Sequence, residues 1–214
     1  MLKNYVNMEK RNITITIDKA IEWYNSENDT LKKIALQAFS ENELKFDFRS
    51  IKTFEEACKV LDIDYDHINS VIDDIIIFGG GISSVAMLKL NIIKKALNLG
   101  QDLPFTENSK NPYLYYPYNP CVNKNSTLYK SKLDLGEMEI IGKIKVGKTE
   151  YNILSGGAIC SCVSVGCFGN YGEFLGCATE EIAKHFGKYF GMTITKAKYS
   201  NLEGFKIITN YYEN

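Results

Sequence analysis

Four cysteines, Cys160, Cys162, Cys167 and Cys177, crowd one glycine-studded stretch, SGGAICSCVSVGCFGNYGEFLGC (155–177). Thiols this close can hold a metal, act as a nucleophile, bridge one another or simply pack. A structural zinc site shows paired C-x2–4-C knuckles, or Cys and His at similar spacing, because neighbouring ligands must reach one ion. Here the spacing is C-x-C-x4-C-x9-C, with no C-x2-C pair. Alternation along a strand puts Cys160 and Cys162 on one face and turns Cys167 to the other. A catalytic thiol needs a base, most often His. The two histidines are His67, among Asp62, Asp64 and Asp66 at a helix start, and His185, eight residues past Cys177. Neither completes a known nucleophile signature. The expectation is that the cysteines behave as small hydrophobes in a close-packed sheet, with no metal, no cofactor and no catalytic residue.

Two other stretches could carry a ligand. FGGGISS (78–84) places consecutive glycines before a helix, where backbone N–H groups can face an anion. It matches neither G-x4-G-K-[ST] nor G-x-G-x-x-G, so it reads as a flexible helix–helix connector. NPYLYYPYNP (111–120) is the second. Its three prolines forbid a regular helix and disfavour a central strand. Tyr113, Tyr115, Tyr116 and Tyr118 must lie on an extended or turning segment, where some seal the junction between two halves of the chain. The others offer rigid contact area at small entropic cost. With Phe168 and Tyr171 of the glycine-rich loop they form the expected ligand- or partner-binding set. Base stacking would need interleaved Lys or Arg, and the segment has none.

The elements that must position these residues divide into two kinds. The first half reads as helices. Asp18 or Thr16 caps one through Ala20 and Tyr24, and Asp29 or Thr30 caps the next through Phe39. Thr53 with Glu55 and Glu56 opens a third by the capping pattern. A fourth covers about 65–77, and Ser83 or Ser84 opens a fifth through Leu97. Residues 101–112 read as a connector. Eleven of the 14 tyrosines follow it. GEMEIIGKIKVGKTEYNIL reads as a hairpin over about 137–154 turning at Gly147-Lys148. AICSCVSV (158–165) reads as a central strand buried on both faces. A helix capped at Thr179 runs through Phe186 and Phe190 and stops at Gly191. Short strands are expected near 192–198 and 204–211.

The 214 residues, 45% hydrophobic and 24% charged with net charge −1, suit a soluble globular protein. The charge is too small to draw the chain to nucleic acid or an anionic membrane. No apolar run approaches the roughly 20 residues of a membrane span, and the start, MLKNYVNMEKRN, lacks the apolar core of a secretion signal. A cytoplasmic setting with reduced thiols is expected.

Four segments occur in a familiar order: IKTFEEACKVLDI (51–63), KLNIIKKALNLGQ (89–101), YLYYPYNP (113–120) and FLGCATEEIAKHFGKYF (174–190). The pattern resembles a set of small uncharacterised proteins encoded by phages and prophages of gut Bacteroidetes. In these a TFEDAC helix, a Tyr/Trp-Pro segment, a variable Gly-rich loop and an EIA-x-x-F helix follow one another. The likeness covers about residues 50–190; the loop 157–173 is richer in Cys and Val here. It implies that three of the cysteines are tolerated in a varying loop, and that Cys177 is a packed core residue.

The resulting expectation is an α+β protein, with a helical domain over 1–104 and a mixed β/α domain over 105–214. Its function would be non-enzymatic: a phage or prophage accessory protein of the host cytoplasm. It would bind a host protein or a small molecule, a defence component among the candidates, through Tyr-rich and Gly-rich loops. A homo-oligomer is left open. The alternatives are a virion-associated structural protein and a Cys- or metal-dependent enzyme.

Overall fold

The structure is a computed structural model, and it describes residues 15, 17–24, 26–99, 101, 113–162 and 175–212. The chain is an α+β protein: helices precede the strands, and one long helix follows most of them. It divides into two compact units, 1–46 and 47–214. Helices that look alike in sequence belong to different cores.

The first unit contains α1 (Ile17–Tyr24), α2 (Asp29–Ala38) and the single-turn α3 (Glu41–Leu44). Ala20, Ala35 and Leu44 are its buried centre, with Trp23, Tyr24 and Phe39 packed round them. The cap of α2 is Asn28, one residue before the expected Asp29. Its side-chain oxygen accepts from the N–H groups of Thr30 and Leu31 (3.0 and 3.2 Å), which satisfies two donors the helix itself cannot.

The second unit begins with a single 3-10 turn, Phe48–Ser50, and then α4 (Phe54–Val60). Thr53 and Glu56 form the full capping box: Thr53 Oγ1 accepts from Glu56 N, and Glu56 Oε2 accepts from Thr53 N. Next come α5 (Tyr65–Ile77) and α6 (Ile82–Leu97). Gly79–Gly81 join them as a defined turn rather than a loose connector. Gly79 has φ +87, and the N–H groups of Gly79 and Gly80 donate to Ile76 O (3.1 Å) and Ile75 O (2.7 Å). That is the Schellman arrangement, and its left-handed position favours glycine. Gly81 is the N-cap of α6, so the helix starts before the expected Ser83.

Strand β1 (Tyr113–Tyr118) pairs antiparallel with β5 (Gly157–Cys162). A second antiparallel sheet has the order β2-β4-β3-β6, from β2 (Cys121–Asn123), β3 (Glu139–Val146), β4 (Thr149–Ser155) and β6 (Lys206–Asn210). The short helix α7 (Lys130–Asp134) links β2 to β3. The expected β3–β4 hairpin is present, turning at Gly147 with φ +58. Among the described residues β5 pairs only with β1, and Cys160 is exposed. The reading of 158–165 as a central strand buried on both faces is thus corrected for its described part. Small and β-branched residues on both faces suggested double burial, but Cys160 in the middle of the strand is open to solvent.

Helix α8 (Glu180–Tyr199) runs straight through Gly191, where a stop was expected, and takes up the residues expected to form a strand near 192–198. A glycine inside a helix costs about 1 kcal/mol relative to Ala. Tertiary packing offsets that cost. A Cβ on Gly191 would overlap Ile141 Cδ1 and Asn119 Nδ2, and one on Gly187 would crowd Pro117 and Asn119. The two glycines let the strands approach the helix backbone. Asn119 sits in the seam and donates from Nδ2 to both Leu154 O and Gly187 O, each at 2.9 Å. Gly142 of β3 makes similar room for Met192.

On a neighbouring face, about 100° round the helix, α8 meets α6. Ser83 Oγ donates to Ala197 O (2.7 Å) near one end, and Ala178 N donates to Asn98 Oδ1 (2.8 Å) at the other. The two helices are therefore antiparallel. Among the described residues no helix is long and apolar enough to cross a membrane.

Candidate functional site

Along the α6–α8 contact the packing is not uniform. Phe186 and Phe190 are fully buried, with ring centroids 6.0 Å apart, edge to face. From Phe190 outward, α4 and α5 stand off from α8, and a cleft of about 650 Å³ opens. Pockets for small molecules commonly span about 300–1,000 Å³ and are mostly apolar with a few polar groups. The buried floor is Ala86, Ile93 and Phe190. Phe54 and Tyr65 form a wall from α4 and α5, with ring centroids 6.0 Å apart. The rim is apolar too, and open to solvent: Ile76 is 56% exposed and Ile82 59%. Beside it on the same turn stand Ile77 and Phe78, the latter 87% exposed. Exposed apolar residues scattered singly need no explanation, but contiguous ones usually mark an interaction site.

The charged groups at the cleft are mainly cationic. Lys52, Lys89 and Lys196 line it against a single acid, Glu55, with Thr193 and Asn210 nearby. Lys89 is half-buried, and its Nζ lies 4.9 Å from the centre of the Phe54 ring. Lys196 is half-buried on the α8 side.

A shallower concavity of about 420 Å³ lies round the corner of α8, among Phe48, His185 and Tyr189. His185 Nε2 donates to Ile51 O at 2.6 Å, which fixes the tautomer, and its ring lies against Phe48 and Tyr189. Burial pulls the His185 pKa down, against the smaller opposing pull of the Ile51 carbonyl. The cations here are mostly held by acids: Arg49 by Asp47, Lys184 by Glu180, and Lys188 by Glu139.

The tyrosine segment is a strand with partly inward side chains. Tyr116 is buried, Tyr115 and Tyr118 are half-buried, and the Tyr118 and Tyr129 hydroxyls hydrogen-bond at 2.6 Å. Tyr115 exchanges both backbone bonds with Cys177 (3.0 and 2.8 Å). By the two-residue period, Pro117 turns its nitrogen to that same side, away from β5, so the missing N–H costs the β1–β5 ladder nothing. Tyr113 lies at the start of β1, opposite Cys162. Phe168 and Tyr171 lie outside the described residues, as do Cys167 and nearly all of the 101–112 connector. The structure does not join the tyrosines of β1 to the cleft.

Cys177 is fully buried, and burial pushes its thiol up to about 12. A thiol so placed stays protonated and unreactive. His185 is engaged with a backbone carbonyl rather than with it. Among the described residues no three His, Cys, Asp or Glu side chains converge in a way that would hold a metal ion.

Sequence reasoning missed the cleft because its walls come from segments between residues 52 and 210. One signal was available. IIIF (75–78) is longer than one helix face can bury, so part of it had to be exposed. Comparison of the chain with protein-family models, with curated proteins and with solved structures finds no match.

Proposed function

We propose that the chain is a non-catalytic binding protein that takes a small, largely apolar ligand in the cleft between α4, α5, α6 and α8. The observation that carries this reading is the continuous apolar path from a buried floor, Ile93 and Phe190, to the exposed rim, Ile76 and Ile82. Leaving such a rim in water is costly for a chain with no use for it. The likeness to phage and prophage proteins supports a setting as an accessory protein in a host cell, with a host metabolite or defence-related molecule as the ligand. The tyrosines of β1 and the Gly-rich loop remain a second contact surface in this proposal, suited to a protein partner.

The test is titration with a neutral, environment-sensitive apolar dye such as Nile red. Saturable binding near one dye per chain is expected. Val85→Trp projects an indole into the cleft from a half-buried wall position and should weaken binding by about tenfold or more, equivalent to about 1.4 kcal/mol. Circular dichroism of the variant checks its fold. Binding that is absent in the parent chain, or unchanged in the folded variant, defeats the proposal.

A further inference from the structure

The α5–α6 turn carries a knob and one edge of a hole. Ile77 and Phe78 are 75% and 87% exposed, and neither lines the cleft. Ile76, Gly80, Gly81 and Ile82, from the same turn, do line it. A small ligand in the cleft therefore leaves Ile77 and Phe78 in water. The knob is also held in place. The N–H groups of Gly79 and Gly80 donate to Ile76 O and Ile75 O, so Phe78 stands on a closed turn and loses little backbone freedom when it docks. Behind it, Ile68, Val71, Ile72, Ile75 and Ile76 of α5 recur at helical spacing, yet Ile72 is the one buried residue of that helix. Together Ile76, Ile77, Phe78 and Ile82 leave on the order of 500 Å² in water, toward the upper end of the roughly 300–600 Å² found for the largest apolar patch of a typical monomer.

A standard stable interface buries about 800 Å² on each side. The patch alone falls short of that; the patch together with the cleft lining comes close. One kind of partner covers both at once. About a two-fold axis a surface meets its own copy, and each contact is made twice. An axis beside the α5–α6 turn sets each copy's knob over the other's cleft, whereas a foreign partner would have to bring a knob and a hole of matching spacing. We propose that this face is covered by a second copy of the chain: a two-fold dimer in which Phe78 of each copy enters the cleft of the other, and Ile77 packs on the other's Ile76 and Ile82. The dimer goes beyond ligand binding and is coupled to it. Phe78 of the second copy and a ligand in the cleft exclude each other, so a ligand drives the dimer apart and the dimer weakens ligand binding by the same factor. A contact near the lower limit of stable interfaces should give a dissociation constant on the order of 10 µM.

The experiment is sedimentation velocity of the full chain under reducing conditions, over about 1–200 µM. The parent chain should pass from monomer to dimer across that range. Phe78→Asp, its fold checked by circular dichroism, should weaken the dimer at least about tenfold. Val85→Trp, which fills the cleft from within, should do the same without touching the knob. Leu135→Asp, at an apolar residue 73% exposed elsewhere on the surface, should dimerise as the parent does. Saturating Nile red should shift the parent toward monomer. A chain that stays monomeric at about 200 µM overturns the proposal and leaves the face to a different partner. A dimer that survives Phe78→Asp, Val85→Trp or saturating dye, or that is lost equally in Leu135→Asp, overturns it too. The ligand reading fails separately. A Phe78-dependent dimer in a chain that binds no dye leaves the dimer standing, and dye binding by a chain that is always monomeric leaves the ligand reading standing.

Discussion

Helix α8 presents two faces that solve the same packing problem in opposite ways. Toward the strands it offers Gly187 and Gly191, and the neighbours close to backbone distance, with Asn119 hydrogen-bonded in the seam. Toward α6 it offers Phe190 and Thr193, which border a cleft, while Phe186, one turn away, is fully buried against Phe190. Small residues made the closed interface, and large ones border the open one. Residue size alone therefore does not say where a protein is well packed; what matters is whether the facing elements can come together. Against α8 the strands do so. Helices α4 and α5 pack mainly on α6.

The largest expected effect separates the two ends of the α6–α8 contact. Phe186→Ala should cost about 3–5 kcal/mol, through lost transfer energy and the cavity left behind. Ile82→Ala, on the open rim, should lie within about 0.5 kcal/mol of the parent chain. Urea melts under reducing conditions measure both. Comparable losses would mean that the cleft is closed in solution.

A smaller effect tests the other face. Gly191→Ala gains about 1 kcal/mol of helix propensity, yet its Cβ overlaps Ile141 and Asn119. Overpacking of this kind costs about 1–3 kcal/mol and here also displaces a doubly bonded amide. The expected net result is a loss of about 1–2 kcal/mol in the same melts. Stabilisation instead would show that the seam has slack.

The smallest effect concerns pH and the α4 wall of the cleft. His185 links α8 to Ile51, one residue before Lys52 and the cap of α4. Its folded pKa lies below the ordinary value of 6.5 because burial disfavours the charged ring. The unfolded state thus takes up the proton more readily. The stability this neutral ring contributes is fully present above pH 6.5 and is lost as pH falls through the folded pKa. The melting temperature should therefore drop on acidification from about pH 7.5 to about pH 5.5. The drop should be smaller in His185→Gln, which carries no titrating ring. Equal slopes in the two proteins would remove His185 as the source. Dye binding in the cleft, followed over the same range, reports whether the α4 wall loosens with it.

Much of the local structure was legible in the sequence. The Thr53 capping pattern, the span of α5 and the β3–β4 hairpin all follow from signals within a few residues of each other: a cap oxygen, an apolar period, a glycine turn. Cys177 as a packed residue was legible from the tendency of cysteine to pack as a small hydrophobe, and it is buried. Other readings failed where a distant neighbour overrode a local rule. Gly191 has the look of a helix stop, but it lies under Ile141. The small residues of β5 have the look of a doubly covered strand, but only one paired neighbour is present among the described residues. The cleft could not be read at all, because Phe54, Ile82, Ile93 and Phe190 share no period and no spacing.

The sequence by itself determined the α+β order of elements, the starts of α4, α5 and α8 and the β3–β4 turn, because capping, periodicity and glycine conformation act over one or two turns of chain. Only the tertiary structure decided which helices share a core, how α8 is flanked and where a cleft remains. Those outcomes depend on how closely pre-formed elements far apart in sequence, from Lys52 to Asn210, can approach, and that is set by side-chain volume at the contact, which no local pattern records.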